Sequence, residues 1–413
     1  MSQFDPKLVL TSSDGLKTLI YLATTFSSKH LLKVCSGKFP AMDLPAELLA
    51  EIVSRTPART IVYCKSVCKK WRNILSESYF ANLHLSRSSE EFIIHQGSRD
   101  DEYAILTLIE LEDESEQHDI HPDPLMRFDL GLNFECEVMC LSGSVNGLIC
   151  IEDNYEESVY ICNPITQEYI YLENPDTKKS YLSMHYGFGF AETNNQYKVV
   201  RFYLDRCLST ENSCPSTEGS YKLGSEVYTL GTATWRDLGH IPFHISGCDI
   251  GIYVSGNLHW LADEDKIICT FDLDREIYQP MAAAPWGSEN AFRSLGVLKG
   301  CLCICDNTPY SELAIWVMRD YGVEDSWTKE FVTYTHLIHG DIHTDMIRIL
   351  KVFKDGTVLL YSESFQLFTY HPQHQTLQHH IYPGGDLDTF DAQTYVPNFM
   401  SLHSFELEEV FGW

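Results

Sequence analysis

A glycine turn running into an apolar strand recurs four times between residues 144 and 360, and nothing else in the chain restricts its fold as strongly. The copies are Ser144-Val145-Asn146-Gly147-Leu148-Ile149-Cys150-Ile151, Ser255-Gly256-Asn257-Leu258-His259-Trp260-Leu261, Lys299-Gly300-Cys301-Leu302-Cys303-Ile304 and Lys354-Asp355-Gly356-Thr357-Val358-Leu359-Leu360. A turn residue followed by an apolar run is what a β-hairpin requires. A second kind of strand follows, in Val159–Thr166, Cys269–Asp274 and Leu367–Pro372, ended by Asn-Pro, Asp or His-Pro. Such residues start turns, and proline cannot continue a ladder. Gly147, Gly256, Gly300 and Gly356 are 109, 44 and 56 residues apart. Propeller blades run about 40–50 residues, so the first gap has room for two. Tyr186–Phe190 with Tyr197–Val200, then Glu226–Leu230 with Trp235, fit the intervening blade. The expectation is a β-propeller of six or seven four-stranded blades, with a β-sandwich as the alternative.

Residues 43–87 have a different texture. Leu48, Leu49, Ile52 and Val53 recur at helical spacing after Pro45, which suits a first helical turn. Thr56-Pro57 stops that helix and offers a cap and first-turn proline to the next. Ile61, Cys64, Val67, Cys68 and Trp71 line a second helix, and Trp71, Ile74, Leu75, Tyr79 and Phe80 a third. About 40 residues bury too little to stand alone. This piece needs apolar cover from a partner or from the β-rich body.

The order Leu44-Pro45-x-Glu47-Leu48-Leu49-x-Glu51-Ile52, then Pro57, Cys64-x-x-Val67-Cys68-Lys69-x-Trp71-Arg72, Phe80 and His84-Leu85 resembles a plant F-box. The body, through Gly-Leu-Ile-Cys at 147–150, Cys-Asn-Pro at 162–164 and Gly-Asn-Leu-His-Trp-Leu at 256–261, resembles the F-box-associated domain related to kelch propellers. Thr56 stands where the family usually has Leu, and Tyr63-Cys64 where a basic-aromatic pair is commoner. The resemblance implies an α+β multidomain chain, a short three-helix F-box followed by an all-β domain. Its divisions would be an extension at 1–41, the F-box at 42–87, a connector and first strand at 88–105, and the propeller-like domain at 106–413. It also implies a non-catalytic subunit of a Skp-cullin-F-box ubiquitin ligase. Leu44, Pro45, Leu48, Ile52, Pro57, Val67 and Trp71 would face the Skp adaptor, and through it the cullin and RING subunits. Some of these must close the F-box's own core, Trp71 first among them, because a large aromatic at a helix junction commonly anchors packing.

Net charge is -28, unevenly placed. Residues 1–87 hold 12 Lys/Arg against 6 Asp/Glu, which leaves the rest 34 negative. Such a body repels a phosphate backbone, so nucleic acid is not an expected ligand. A basic protein target is favoured by long-range steering. No apolar run is long enough for a membrane span; Leu19–Ala23 is far too short. Residues 1–41 have no secretory-leader pattern, so no signal peptide is expected; they read as a flexible extension or an upstream addition, and the absence of Arg counts against the remaining alternative, a transit peptide. The 14 cysteines contain no Cys-x-x-Cys pair, which suggests reduced thiols in the cytoplasm or nucleus.

Metal and enzyme readings have weak carriers. Cys301, Cys303 and Cys305 share one strand face about 7 Å apart, wide for a shared metal, so they read as packing. His336-x-x-His339-x-Asp341-x-His343 is the best metal-like spelling, and His371, His374, His379 and His380 a poorer one. Neither has helical His-Glu-x-x-His context. Glu110/Glu112 and Asp386/Asp388 are acidic pairs in an acidic chain, and no phosphate loop or nucleophile elbow appears. No cofactor, metal or catalytic residue is assigned. The alternative function is a stand-alone propeller enzyme or carbohydrate-binding protein with a helical cap, which requires titratable side chains converging on the central channel. Long polar connections at Glu110–Asp119 and Cys207–Tyr221 are candidates for target contact.

Overall fold

The computed structural model describes residues 45–98, 103–109, 126–129, 139–153, 158–173, 180–206, 221–245, 250–262, 267–285, 291–334, 345–362, 366–374, 376–380 and 389–412. Leu44, the extension 1–41, Glu110–Asp119 and residues 207–220 lie outside them.

Three of the four glycine turns take a conformation that only a local argument is needed to explain. Asn146-Gly147, Ser255-Gly256 and Lys299-Gly300 all have positive φ at both positions. That is the two-residue type I′ hairpin whose twist matches its strands. Their registers close at Val145↔Leu148, Val254↔Asn257 and Leu298↔Cys301. The fourth turn is held instead by the Asp355 carboxylate, which accepts from the Thr357 amide at 2.8 Å.

These hairpins form the inner halves of antiparallel sheets, six in all among the described residues. From the centre outwards, blade 2 is Met139–Val145, Leu148–Asp153, Ser158–Asn163 and Glu168–Leu172. Blade 3 is Ser180–Ala191, Gln196–Arg206, Tyr221–Thr229 and Trp235–His240, as the 109-residue gap requires. Blade 4 comprises Ile252–Val254, Asn257–Ala262, Ile267–Asp272 and Ile277–Ala282. Blade 5 comprises Phe292–Leu298, Cys301–Asn307, Glu312–Met318 and Trp327–Tyr334. Blade 6 is Ile347–Val352, Val358–Ser362, Gln366–His371 and Thr376–His380. Blade 1 is composite. Its innermost strand, Thr389–Tyr395, comes from the end of the chain, and its outer three are Glu91–Ser98, Tyr103–Ile109 and Arg127–Asp129. The innermost strands adjoin one another in cyclic order, so the six sheets make a six-bladed β-propeller closed by non-local pairing. Segment 88–105, read as connector and first strand, therefore supplies the second strand of blade 1.

The centre of the ring is tight. A Cβ built on Gly251 would lie 2.6 Å from the Trp260 ring and 2.8 Å from the Gly187 Cα. Overpacking of this kind costs about 1–3 kcal/mol, and Gly251→Ala is expected to lower stability by that amount in urea denaturation. An unchanged midpoint would show that the ring is looser than this.

The helical segment has four helices rather than three: α1 Ala46–Val53, α2 Ala58–Lys65, α3 Lys69–Ile74 and α4 Ser78–Leu85. The reason is angular. At 3.6 residues per turn a continuous helix would place Phe80 opposite Trp71. The break at residues 75–77 returns Phe80 to the interior, where it is fully buried, and turns Tyr79 out to 59% exposure. Pro45 and Pro57 occupy the N-cap positions of α1 and α2, one residue before the first turn.

The segment's cover comes from the propeller. Leu49, Ile61, Trp71 and Phe80 share a core with Ile93 and Leu106 of blade 1 and Leu141 and Ile149 of blade 2. Phe399 is the central contact, 5.9 Å from the Phe80 ring and 5.1 Å from the His84 ring, with the Lys65 ammonium 4.7 Å above it. Phe399 belongs to a strap that leaves blade 1 at Tyr395 and crosses blade 2. Asn398 Nδ2 donates to the Asn146 carbonyl (2.8 Å), Asn163 Nδ2 donates to the Met400 carbonyl (2.7 Å), and Glu168 accepts from the Leu402 amide (2.6 Å). Val410–Gly412 then adds a fifth strand to the outer edge of blade 2. Helices and strap share the face that carries the first-to-second and third-to-fourth strand turns. Connections between second and third strands, and between blades, leave from the opposite face.

Candidate functional site

Helix α1 has two unlike faces. Leu49, Ala50 and Val53 are buried in the shared core. Pro45, Leu48 and Ile52, at i, i+3 and i+7, fall on the other side. Pro45 is exposed, Leu48 is 51% exposed and Ile52 is half-buried. An exposed leucine flanked by apolar neighbours on one helical stripe is a surface ready for a partner helix. Among the other residues picked from the sequence, Pro57 is exposed at the start of α2, and Val67 is half-buried against the core. Trp71 is only 7% exposed and sits inside that core. Leu44 lies outside the described residues. Tyr79, exposed on α4, escaped the sequence reading because a continuous third helix would have turned it inward.

Ionic ties brace the stripe. Arg87 Nη2 donates to both Glu51 carboxylate oxygens (2.9 and 2.8 Å), and Arg87 Nη1 donates to Ser54 Oγ (2.6 Å). Arg55 Nη2 reaches Glu51 Oε1 at 2.5 Å. Hydrogen bonds from Arg55 and Arg87 hold the Glu51 carboxyl below the usual carboxylate range. Thr56 is buried, yet its hydroxyl donates to the Val53 carbonyl at 2.8 Å, so its departure from leucine leaves no orphaned polar group. Burial pushes the Lys65 ammonium down to about 8, with Glu168 opposing the shift.

The central channel is a cavity of about 60 Å³, far below the roughly 300 Å³ at which ligand clefts begin. Among the described lining residues Arg348 is the one charged side chain, and it pairs with Asp391 at 3.1 Å. The cysteine triad packs: Cys303 and Cys305 are buried between blades 5 and 6, and burial pushes the Cys305 thiol up to about 12. Three of the histidines have partners of their own. His371 Nδ1 lies 2.8 Å from Thr357 Oγ1, His380 Nε2 lies 2.8 Å from Thr369 Oγ1, and the His379 ring packs on Phe368. His336, His339, Asp341 and His343 lie outside the described residues, as do Glu110/Glu112 and Asp386/Asp388.

Two family models match this chain. The F-box domain covers residues 42–82, and the F-box associated beta propeller domain covers residues 93–403. The chain is an F-box protein of the F-box-associated propeller family. Its similarity to "F-box protein At3g07870" of Arabidopsis thaliana is 29% identity over 80% of this chain and 85% of that one. "F-box/kelch-repeat protein At3g23880" of the same plant is 26% identical over 78% and 86%. "F-box protein CPR1", also from Arabidopsis thaliana, is 26% identical over 70% and 72%. The F-box match ends within α4, and the propeller match includes the strap through His403, so both partners of the shared core lie within family-defined regions. No helix among the described residues of this F-box protein is long and apolar enough to cross a membrane.

Proposed function

We propose that this chain is the substrate-recognition subunit of a Skp-cullin-F-box ubiquitin ligase. The F-box would hold the Skp adaptor, and with it the cullin and RING subunits, while the propeller holds a protein target. The observation that carries this reading is the α1 stripe of exposed Pro45 and Leu48 with half-buried Ile52, turned away from the core that the F-box shares with the propeller. Pro57 and Val67 extend the candidate adaptor surface, and Trp71 supports it from within. Because helices and strap occupy one face, the opposite face is where a target has access. Phe292 (37% exposed), Tyr310 (74%) and Val332 (39%) stand at that end of blade 5 and are the first residues to test for target contact. The mechanism is proximity: a rigid body raises the effective concentration of target lysines near a charged ubiquitin carrier. The net charge of -28 favours a basic target through steering. The cytoplasm or nucleus is the compartment this role implies.

The test is co-expression of residues 42–413 with a plant Skp adaptor. Leu48→Glu is expected to weaken the complex at least tenfold, because a desolvated hot-spot leucine is worth about 1–2 kcal/mol or more. Its circular dichroism should match wild type, since Leu48 takes no part in the core. A folded protein that ignores the adaptor, or a variant that binds as well as wild type, sinks this reading.

A further inference from the structure

The turn 319–326 joins the third and fourth strands of blade 5 at the strap-bearing end of the ring, with residues 319–325 all exposed. It is tightly held. The Val323 amide donates to the Asp320 carbonyl at 3.0 Å, the Ser326 amide to the Val323 carbonyl at 3.0 Å, and Ser326 Oγ to the Asp320 carbonyl at 2.9 Å. From below, His259 of blade 4 fixes Tyr321. His259 is 0% exposed, and its Nδ1 lies 2.9 Å from the Ile252 carbonyl, which can only accept. Nε2 therefore carries the lone pair and accepts the Tyr321 O–H at 2.8 Å. The tyrosine is still 40% exposed, beside Val323 at 49%.

Across the seam, Ile277 of blade 4 is 41% exposed. Its cross-strand partner Asp272 lies on the same strand face as Ile268, which packs in the core between blades 4 and 5, so Ile277 faces blade 5. Burial pushes the Tyr321 hydroxyl up to about 12, and the Asp272 carboxylate adds to the push; the two walls are within electrostatic reach. Charge around these apolar side chains is one-sided. Asp320, Glu324 and Asp325 have no cation partner among the described residues, whereas Arg319 is paired with Glu330 and Arg275 stands 3.8 Å from Asp272. Lys299 is the one other cation in the four turns at this end of blades 4 and 5.

We infer that this seam is a docking site for a basic protein segment with an apolar side chain among its cations. Apolar side chains rimmed by charge on a rigid turn mark an interaction surface, and the rim decides the partner's sign: three free carboxylates favour lysine and arginine. They repel the phosphates of nucleic acid and of anionic lipid alike. The tyrosine face offers a cation–π contact to arginine, while Ile277 and Val323 would cover an aliphatic side chain. Because His259 already holds the ring, little side-chain freedom is lost on binding. Blades 4 and 5 lie across the ring from blades 1 and 2, where the F-box packs, and Phe292 and Tyr310 stand at the opposite end of blade 5. The site is separate from both, and the inference does not depend on adaptor binding.

Fluorescence anisotropy on the full-length protein tests it, at an ionic strength near that of cells so that unspecific attraction to a chain of net charge -28 is screened. The probe is a short labelled peptide with arginines on both sides of one leucine. Saturable binding is expected. Tyr321→Ser/Val323→Ser, which leaves the net charge as it is, should weaken it at least tenfold. Val323→Ser alone, at a position outside every core cluster, should weaken it several-fold and serves if the double variant folds poorly. Asp320→Asn/Glu324→Gln/Asp325→Asn should also weaken binding at least tenfold. Glu173→Gln/Glu406→Gln/Glu409→Gln removes the same charge from exposed positions on blade 2 and the strap and should leave binding unchanged. Equal losses in the two triple variants, full binding without Tyr321 and Val323, or no saturable binding would overturn the inference. So would equal binding of a peptide with glutamates in place of the arginines.

Discussion

Lowering the pH from 7 to 5 is expected to remove about 2 kcal/mol of stability for each of three buried histidines, roughly 6 kcal/mol together. His84, His95 and His259 are each 4% exposed or less. Burial pushes all three down to about 4 from an ordinary value near 6.5. Bonds to Thr56 and Pro397 partly oppose this at His84, the Asp391 charge at His95, and the Ile252 carbonyl at His259. Between pH 6.5 and 4 the unfolded chain binds protons that the folded chain refuses, so stability falls as pH falls and is fully present above about 6.5. The predicted loss is comparable to the 5–15 kcal/mol that holds a typical domain together. Urea denaturation at pH 7 and pH 5 measures it, and His95→Leu should flatten the dependence by about a third. Equal stability at the two pH values would mean that the histidines are hydrated in the folded state.

Arg201→Met is expected to cost about 3–5 kcal/mol, the penalty for stranding a buried carboxylate. Arg201 is 1% exposed and Glu226 4%. Arg201 Nε and Nη2 both donate to Glu226 Oε2, at 3.0 and 2.7 Å, and the guanidinium lies 3.8 Å from the Trp235 ring centre. The two residues face each other across the second and third strands of blade 3. Adding Glu226→Leu should restore much of the loss, since an apolar pair of similar volume often matches a buried ion pair. A double-mutant cycle in urea reads the coupling directly. If the double variant is as unstable as the single one, the arginine matters for its packing on Trp235 and not for its charge.

Much of the blade architecture is written locally. Asn146-Gly147, Ser255-Gly256 and Lys299-Gly300 are hairpin turns because their own backbones tolerate positive φ, and the residues that follow pack into the core with no help from distant sequence. The six-blade count was not legible in this way. Closure uses Thr389–Tyr395 against Glu91–Ser98, a pairing across nearly the whole body, and no local pattern announces a partner some 300 residues away. The candidate adaptor surface was legible as a set but not as an arrangement. Leu48 and Leu49 are adjacent leucines, and only packing against Phe399 and blades 1 and 2 decides which one is spent on the core. Tyr79 lost its expected inward face because the break at residues 75–77 reassigns every face beyond it, whereas Trp71, before the break, lies in the core.

The sequence by itself determined the order of the parts: a short helical F-box, then repeated four-stranded units, with an acidic body and a basic leading segment. Those follow from short-range terms, namely turn propensity, apolar periodicity and charge count. Tertiary structure alone decided that the F-box rests on the strap face of the propeller and that His84, His95 and His259 are sealed from water. Each of these depends on which surfaces meet after the ring closes, and burial is a property of the assembled fold rather than of any segment within it.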